Sequence, residues 1–279
     1  MRFLGRLLLL VVCFSPLLSQ AQDSSKTAVK EVWDNYIARL SKGVGSVNYN
    51  ASIKEKAPNP RLPFLVITGV TLKSNDGRNL PDADELNYLY VMSDTVFGTI
   101  KKHTKMSAYV GSLAYNKERY DYFYVSDTLF LKDRLEETYH NNYKYYKSHI
   151  KVKRDEEWNG YFTFLYPSAE VLEFKQNHEI ITKLLQAGDN LDKPRSVNHF
   201  FSFKEITDRE YFEKVIEAQQ FKIVTKMFNR DDLEYPFRLC VSREDRVDED
   251  TMNGITVQLR KLATRNGGRY DFWQTQVTK

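Results

Sequence analysis

Side chains able to do acid–base, nucleophilic or metal chemistry are plentiful in this sequence but poorly spaced for it. The five histidines stand at 103, 140, 149, 178 and 199, and no two are placed four apart on one helix face to share a zinc ion. His178-Glu-Ile-Ile-Thr182 opens like a zinc-protease motif, but Thr182 occupies the position of the second ligand. Gly43-Val-Gly-Ser46 lacks the lysine and the strand-to-helix setting of a phosphate loop, and Gly111-Ser112 lies in strand-like text without the partners of a nucleophile elbow. We therefore expect no metal, no cofactor and no catalytic residue, and read the chain as non-enzymatic. Asp231-Asp232 and Asp248-Glu-Asp250 read as a turn and an acidic helix start, where a carboxylate meets the positive end of the helix dipole.

Aromatic residues are the other chemical resource. Eight of the 18 tyrosines fall between Tyr115 and Tyr146. They could stack on sugars or single-stranded bases, yet tyrosine is also a favoured strand residue that forms cross-strand pairs, and the structural reading is preferred. His199 lies in an aromatic strand with Phe200, Phe201 and Phe203 and reads as a packed, hydrogen-bonded histidine.

The elements that would position these residues fall into two runs. In the first, Phe64–Leu72 is a β-branched strand closed by the Asn75-Asp-Gly77 turn. Pro81-Asp-Ala-Asp-Glu85 starts a helix reaching about Lys102, and Ser107–Tyr115 and Arg119–Val125 form a hairpin around Asn116-Lys-Glu118. A helix over about Thr128–Tyr139 and strands His149–Lys153 and Tyr161–Tyr166 complete the run. A polar helix from Ser168 to about Ala187 reads as a connector. In the second run Val197–Phe203 is a strand, and Thr207-Asp-Arg-Glu210 has the spacing of a capping box. Strands follow at Phe221–Phe228 and Pro236–Arg243, then a helix striped by Met252, Ile255, Leu259 and Leu262, then a strand from Tyr270 to Val277. This βαββαβ order is the α+β ferredoxin-like sandwich, two helices on a four-stranded antiparallel sheet. A weaker echo of the pattern suggests that the N-terminal α+β region is ferredoxin-like as well. The implied division is a signal peptide over 1–21, an α+β domain over 22–167, a helical connector over 168–194 and the ferredoxin-like domain over 195–279.

The 279 residues carry a formal charge of +4, two of whose positive charges, Arg2 and Arg6, sit at the N-terminus. They precede the apolar run Leu7–Phe14, Pro16 and the small residues Ser19 and Ala21, the tripartite pattern of a secretory signal cleaved near Ala21/Gln22. The run is shorter than the ~20 residues that span a bilayer, so we expect a secreted or periplasmic protein with no membrane span after cleavage. Cys240 would then be the sole thiol, which excludes an internal disulfide. From Ser196 onward 14 basic and 14 acidic side chains balance, so no nucleic-acid partner is expected.

The C-terminal text resembles the RraB family, the regulator of ribonuclease E activity B, in Gly188-Asp189, Pro194-Arg195-Ser-Val197-Asn-His199-Phe-Phe-Ser-Phe203 and the closing Gly267-Gly268-Arg-Tyr270-Asp271-Phe-Trp273-Gln-Thr275-Gln276-Val277. Upstream, Trp33, Phe64–Leu72, Leu80-Pro-Asp-Ala-Asp-Glu85, Tyr109-Val-Gly-Ser-Leu113 and Tyr120-Asp-Tyr-Phe-Tyr124 resemble domain of unknown function 695, with Asn79-Leu-Pro-Asp82 where that family has Gly-Leu-Pro-Thr. The resemblance implies a ferredoxin-like C-terminal domain and a non-catalytic protein that restrains ribonuclease E. That enzyme is cytoplasmic, whereas Leu7–Phe14 signals export, so the first expectation is an exported binding or inhibitory module for an unknown extracytoplasmic protein. The alternatives are a cytoplasmic ribonuclease inhibitor, should the N-terminus not be a signal, and an envelope glycan-binding or hydrolysing protein that uses Tyr122 and Tyr124. Residues His199, Asp271, Trp273 and Gln276, on the first and last strands of the C-terminal sheet, are the candidate binding site, with core packing the stronger expectation for Trp273.

Overall fold

The computed structural model describes residues 31–73, 77 and 79–279. The N-terminal segment read as an export signal, and most of the Asn75-Asp-Gly77 turn, lie outside the described residues. The first elements form a hairpin absent from the sequence reading: β1 (Trp33–Leu40) pairs antiparallel with β2 (Gly43–Asn50), and Gly43 takes the positive φ of +119° that the turn requires. There follow β3 (Phe64–Thr71), α1 (Ala83–His103), β4 (Ser107–Tyr115), β5 (Glu118–Val125), α2 (Leu131–Asn142) and β6 (Ser148–Arg154). The Asp82 carboxylate caps α1 by accepting from the Glu85 amide at 2.9 Å, as the acidic text foretells. Strand order is β1-β2-β4-β5-β3-β6, with every pair antiparallel. Without the hairpin this is the ferredoxin-like order, and β2 extends it by pairing with the β4 edge.

Tyr161–Tyr166, expected as a strand, is instead a short helix, α3 (Asn159–Phe162), and the turns after it. The backbone amides here are satisfied locally. Asp155 accepts from Asn159 at 3.1 Å and Gly160 at 2.8 Å, and the Tyr124 hydroxyl accepts from Tyr161. The aromatic spacing that suggested a strand serves packing: Tyr161 and Leu165 are buried with Trp158 against the sheet.

The remaining elements are α4 (Ala169–Gln186), β7 (Arg195–Phe203), α5 (Ile206–Glu217), β8 (Lys222–Phe228), β9 (Phe237–Asp245), α6 (Glu249–Arg265) and β10 (Gly268–Thr275). The second sheet has the order β10-β7-β9-β8, the same ferredoxin-like arrangement. The capping box expected at Thr207 is not formed. Only Lys204 and Glu205 separate β7 from α5, so Glu205 takes the N-cap position and Thr207 lies within the helix. Helix α4, read as a connector, packs on α6, where the Arg260 Nε donates to Glu173 Oε2 at 2.5 Å. Its Ile181 and Leu184 share a core with Val197, Met252 and Trp273. Among the described residues no helix is long and apolar enough to cross a membrane.

Candidate functional site

Alternation along the second sheet sorts its residues into two faces. Phe201, Phe203, Leu239 and Val241 point to α5 and α6, and Val197 and Trp273 to α4 and α6. All three helices therefore lie on one side. The opposite side carries Phe200 and Phe272, whose rings stack at 4.5 Å and 14°. Phe272 is 41% exposed and Met227, opposite Arg238, is 56% exposed, whereas Phe228, opposite Phe237 and in ring contact with it at 5.2 Å, lies on the helix side. With Arg238 and Cys240, Phe200, Phe272 and Met227 line a shallow groove of about 530 Å³.

A charged cluster borders the groove. Arg238 donates through Nη1 to Asp271 Oδ2 at 3.0 Å and through Nη2 to Asp232 Oδ2 at 2.7 Å. Arg269 Nε reaches Asp271 Oδ1 at 2.8 Å, and Ser202 hydrogen-bonds to both Asp271 and Arg238. The amide of Tyr235, with that of Glu234 and the nearby Arg238, holds the Asp232 carboxyl below its ordinary range. Every charge here has a partner. The arrangement offers an apolar surface with a polar border, the anatomy of a protein contact.

The four residues singled out from sequence do not form one site. His199 and Trp273 face each other in register between β7 and β10, but both point to the helix side. His199 is fully buried; its Nδ1 lies 3.0 Å from the Tyr270 hydroxyl, and its Nε2 has no partner among the described residues. Burial, with the nearby Arg243 charge, pushes its pKa down to about 3, so the ring is neutral. Trp273 donates from Nε1 to Asn177 Oδ1 at 2.8 Å, and Asn177 in turn donates to Asn253 and Thr256 at 2.9 Å, which ties β10 to α4 and α6. Asp271 belongs to the charged cluster on the open side. Gln276 lies exposed past the end of β10, its carbonyl accepting from Arg195 at 3.4 Å. A bulge between Tyr270 and Phe272 separates these roles by breaking the two-residue alternation. Phe200, Met227 and Phe272 were the residues missed, although inward Phe201 and Phe203 already imply an outward Phe200.

The tyrosine-rich stretch divides similarly. Tyr124 is buried, stacked 3.9 Å from Trp158 and donating to Asp155 at 2.6 Å, so it presents no ring to a sugar. Tyr139 and Tyr143 belong to the core beneath α1 and α2, Tyr145 is exposed, and Tyr146 stacks on Tyr88. Tyr115, Tyr120 and Tyr122 line a cleft on the side of the first sheet away from those helices. Among the described residues no group of three or more His, Cys, Asp and Glu side chains could hold a metal ion.

The fold is thus a tandem ferredoxin-like one, and its C-terminal part is an RraB-like regulatory domain. The chain belongs to the RraB family, described as regulator of ribonuclease activity B, whose model matches residues 174–275; residues 31–166 match a family of unknown function, DUF695. A relative from Xenorhabdus nematophila named regulator of ribonuclease activity B is 31% identical over 108 residues, covering 37% of this chain and 74% of the relative. Among solved structures, a putative glycine cleavage system transcriptional repressor overlaps 76% of this chain and 98% of its own at 12% identity, with a TM-score of 0.24. An unknown protein from Galdieria sulphuraria overlaps 75% and 96% at 10% identity, with a TM-score of 0.21. These last two overlaps are too slight to add to the topology.

Proposed function

We propose that this chain is an exported, non-catalytic regulator that docks a protein partner on the open face of its C-terminal sheet. The observation that carries the reading is the Phe200–Phe272 stack beside the exposed Met227, on the side of that sheet that no helix among the described residues covers. Isolated exposed apolar residues need no explanation, whereas a stacked pair inside an apolar groove marks an interaction surface. The family relationship supports action through a protein partner, and the apolar Leu7–Phe14 run supports delivery outside the cytoplasm. A second reading keeps the activity named for the relative, restraint of a ribonuclease, and requires that the N-terminal segment be retained in the cytoplasm.

The test is cell fractionation with the mass of the N-terminus, followed by cross-linked capture with the intact protein and with Phe200→Ser/Phe272→Ser. A chain starting near Gln22 outside the cytoplasm, with a partner captured by the native face and lost by the double variant, is the expected result. An intact Met1 in the cytoplasm, with face-dependent capture of a ribonuclease, selects the second reading. Capture unaffected by the double substitution contradicts the proposed face.

A further inference from the structure

The first sheet holds a cavity that the regulator reading does not use. On the side away from α1 and α2, the segment 155–166 closes half of the sheet, burying Trp158, Tyr161 and Leu165 against Leu65, Val110 and Tyr124. The other half remains open as a cleft of about 590 Å³ between the β1–β2 hairpin and β6, stopped at one end by Phe164. That volume falls in the range of small-molecule sites, which combine apolar walls with a few placed polar groups.

The register shows what the cleft offers. One cross-strand row runs Lys151, Ile67, Tyr122, and the next contains Tyr120, Leu113 and Val47. Lys151 and Tyr122 each stand one strand from Ile67, so their backbones are roughly 10 Å apart with an apolar floor between them. Lys151 forms no ion pair among the described residues, and the hydroxyls of Tyr120 and Tyr122 have no hydrogen-bond partner there, although Tyr122 is only 6% exposed. Glu118, the carboxylate in the row beyond, opposite Thr71 and Tyr115, is engaged by Thr71 at 2.9 Å and His149 at 3.1 Å. The cleft therefore pairs an apolar floor with one uncommitted cation and two uncommitted hydroxyls. A sugar would need more acceptors than these walls supply. A peptide adding as a strand would need unpaired backbone groups, which the floor strands β2, β3, β4 and β5, paired on both sides, do not offer; those of β1 and β6 run along the outer rims of the sheet, away from the cleft.

We propose that this cleft binds a small amphipathic acid, its apolar body lying over Ile67 and Leu113 and its single carboxylate meeting Lys151 and the Tyr120 and Tyr122 hydroxyls. The test is titration calorimetry of the full chain with decanoate and with decanol, which share an apolar body and differ in the head group. Decanoate should bind the more tightly. Lys151→Met should weaken decanoate about tenfold, the share of one charge-assisted hydrogen bond, and leave decanol unchanged. Ala38→Phe, which fills the cleft from the edge strand β1, should remove both, with a thermal melt confirming that the variant is folded. Lys151 is exposed on the other edge strand, so its variant keeps the test valid should Ala38→Phe fail to fold. Decanoate binding no tighter than decanol, binding insensitive to Lys151→Met, or no binding at about 1 mM, the weak end of specific affinity, would overturn the proposal.

Discussion

The two sheets share one topology and treat their helix-free faces in opposite ways. In the first, the β1–β2 hairpin widens the sheet and the segment 155–166 folds over it, so that face gains a second core and retains only a walled cleft. In the second, no added element among the described residues covers the face, and Phe200, Met227 and Phe272 are left at the surface. A ferredoxin-like sandwich buries one side of its sheet by construction. What the chain does with the other side distinguishes a cavity from a contact surface, so fold alone does not assign function.

Substitutions on the covered and uncovered faces should differ sharply. The largest expected effect is at Trp158, which stacks on Tyr124 and donates to the Leu62 carbonyl beneath the covering segment. Trp158→Ala should cost about 3–5 kcal/mol, the range for a buried tryptophan, read as a fall in calorimetric melting temperature. Trp273→Ala should fall near the lower end of that range, because α4 and α6 keep their Glu173–Arg260 link when the hydrogen bond to Asn177 is lost.

His199 gives an intermediate effect with a definite sign. The folded chain holds the ring neutral, with a pKa near 3 against an ordinary 6.5, while the unfolded chain takes up a proton below 6.5. Stability is therefore lost as pH falls from 6.5 toward 3, by roughly 2 kcal/mol over the first one and a half pH units. Denaturant melts of the native chain and His199→Phe at pH 6.5 and pH 5 should show this difference; equal slopes would place the pH sensitivity elsewhere. The smallest effect belongs to the uncovered face. Phe272→Ser should change stability by about 1 kcal/mol or less, the behaviour of a surface site, and a much larger loss would show that the Phe200–Phe272 stack is structural.

Much of this architecture was legible in the sequence. The βαββαβ order of the C-terminal half followed from strand and helix periods, and strand β4 matches its expected limits, because these elements bury one face and show it in their alternation. Hairpin β1–β2 was not legible: β1 is an edge strand without a fully buried residue, so its letters carry little alternation. Tyr161–Tyr166 misled because its aromatics are spaced for covering the sheet, while the Asp155 carboxylate holds the Asn159 and Gly160 amides just ahead of it and the Tyr124 hydroxyl, distant in sequence, accepts from the Tyr161 amide, which keeps the segment in a helical turn. The candidate site was legible only in part. Strand membership placed His199, Asp271 and Trp273 near one another, but the bulge at Tyr270/Phe272 decides which of them faces outward, and nothing in the letters announces it.

The central claim is that the uncovered face of the C-terminal sheet is where a partner docks. Site-specific photocross-linking in the native cell tests it most directly, with the photoreactive residue placed at Phe272 and, as control, at Tyr211, which is 61% exposed on helix α5 on the other side of the sheet. A discrete adduct with one protein from position 272 and none from position 211 is the predicted result. An adduct from 211 with none from 272 would contradict it.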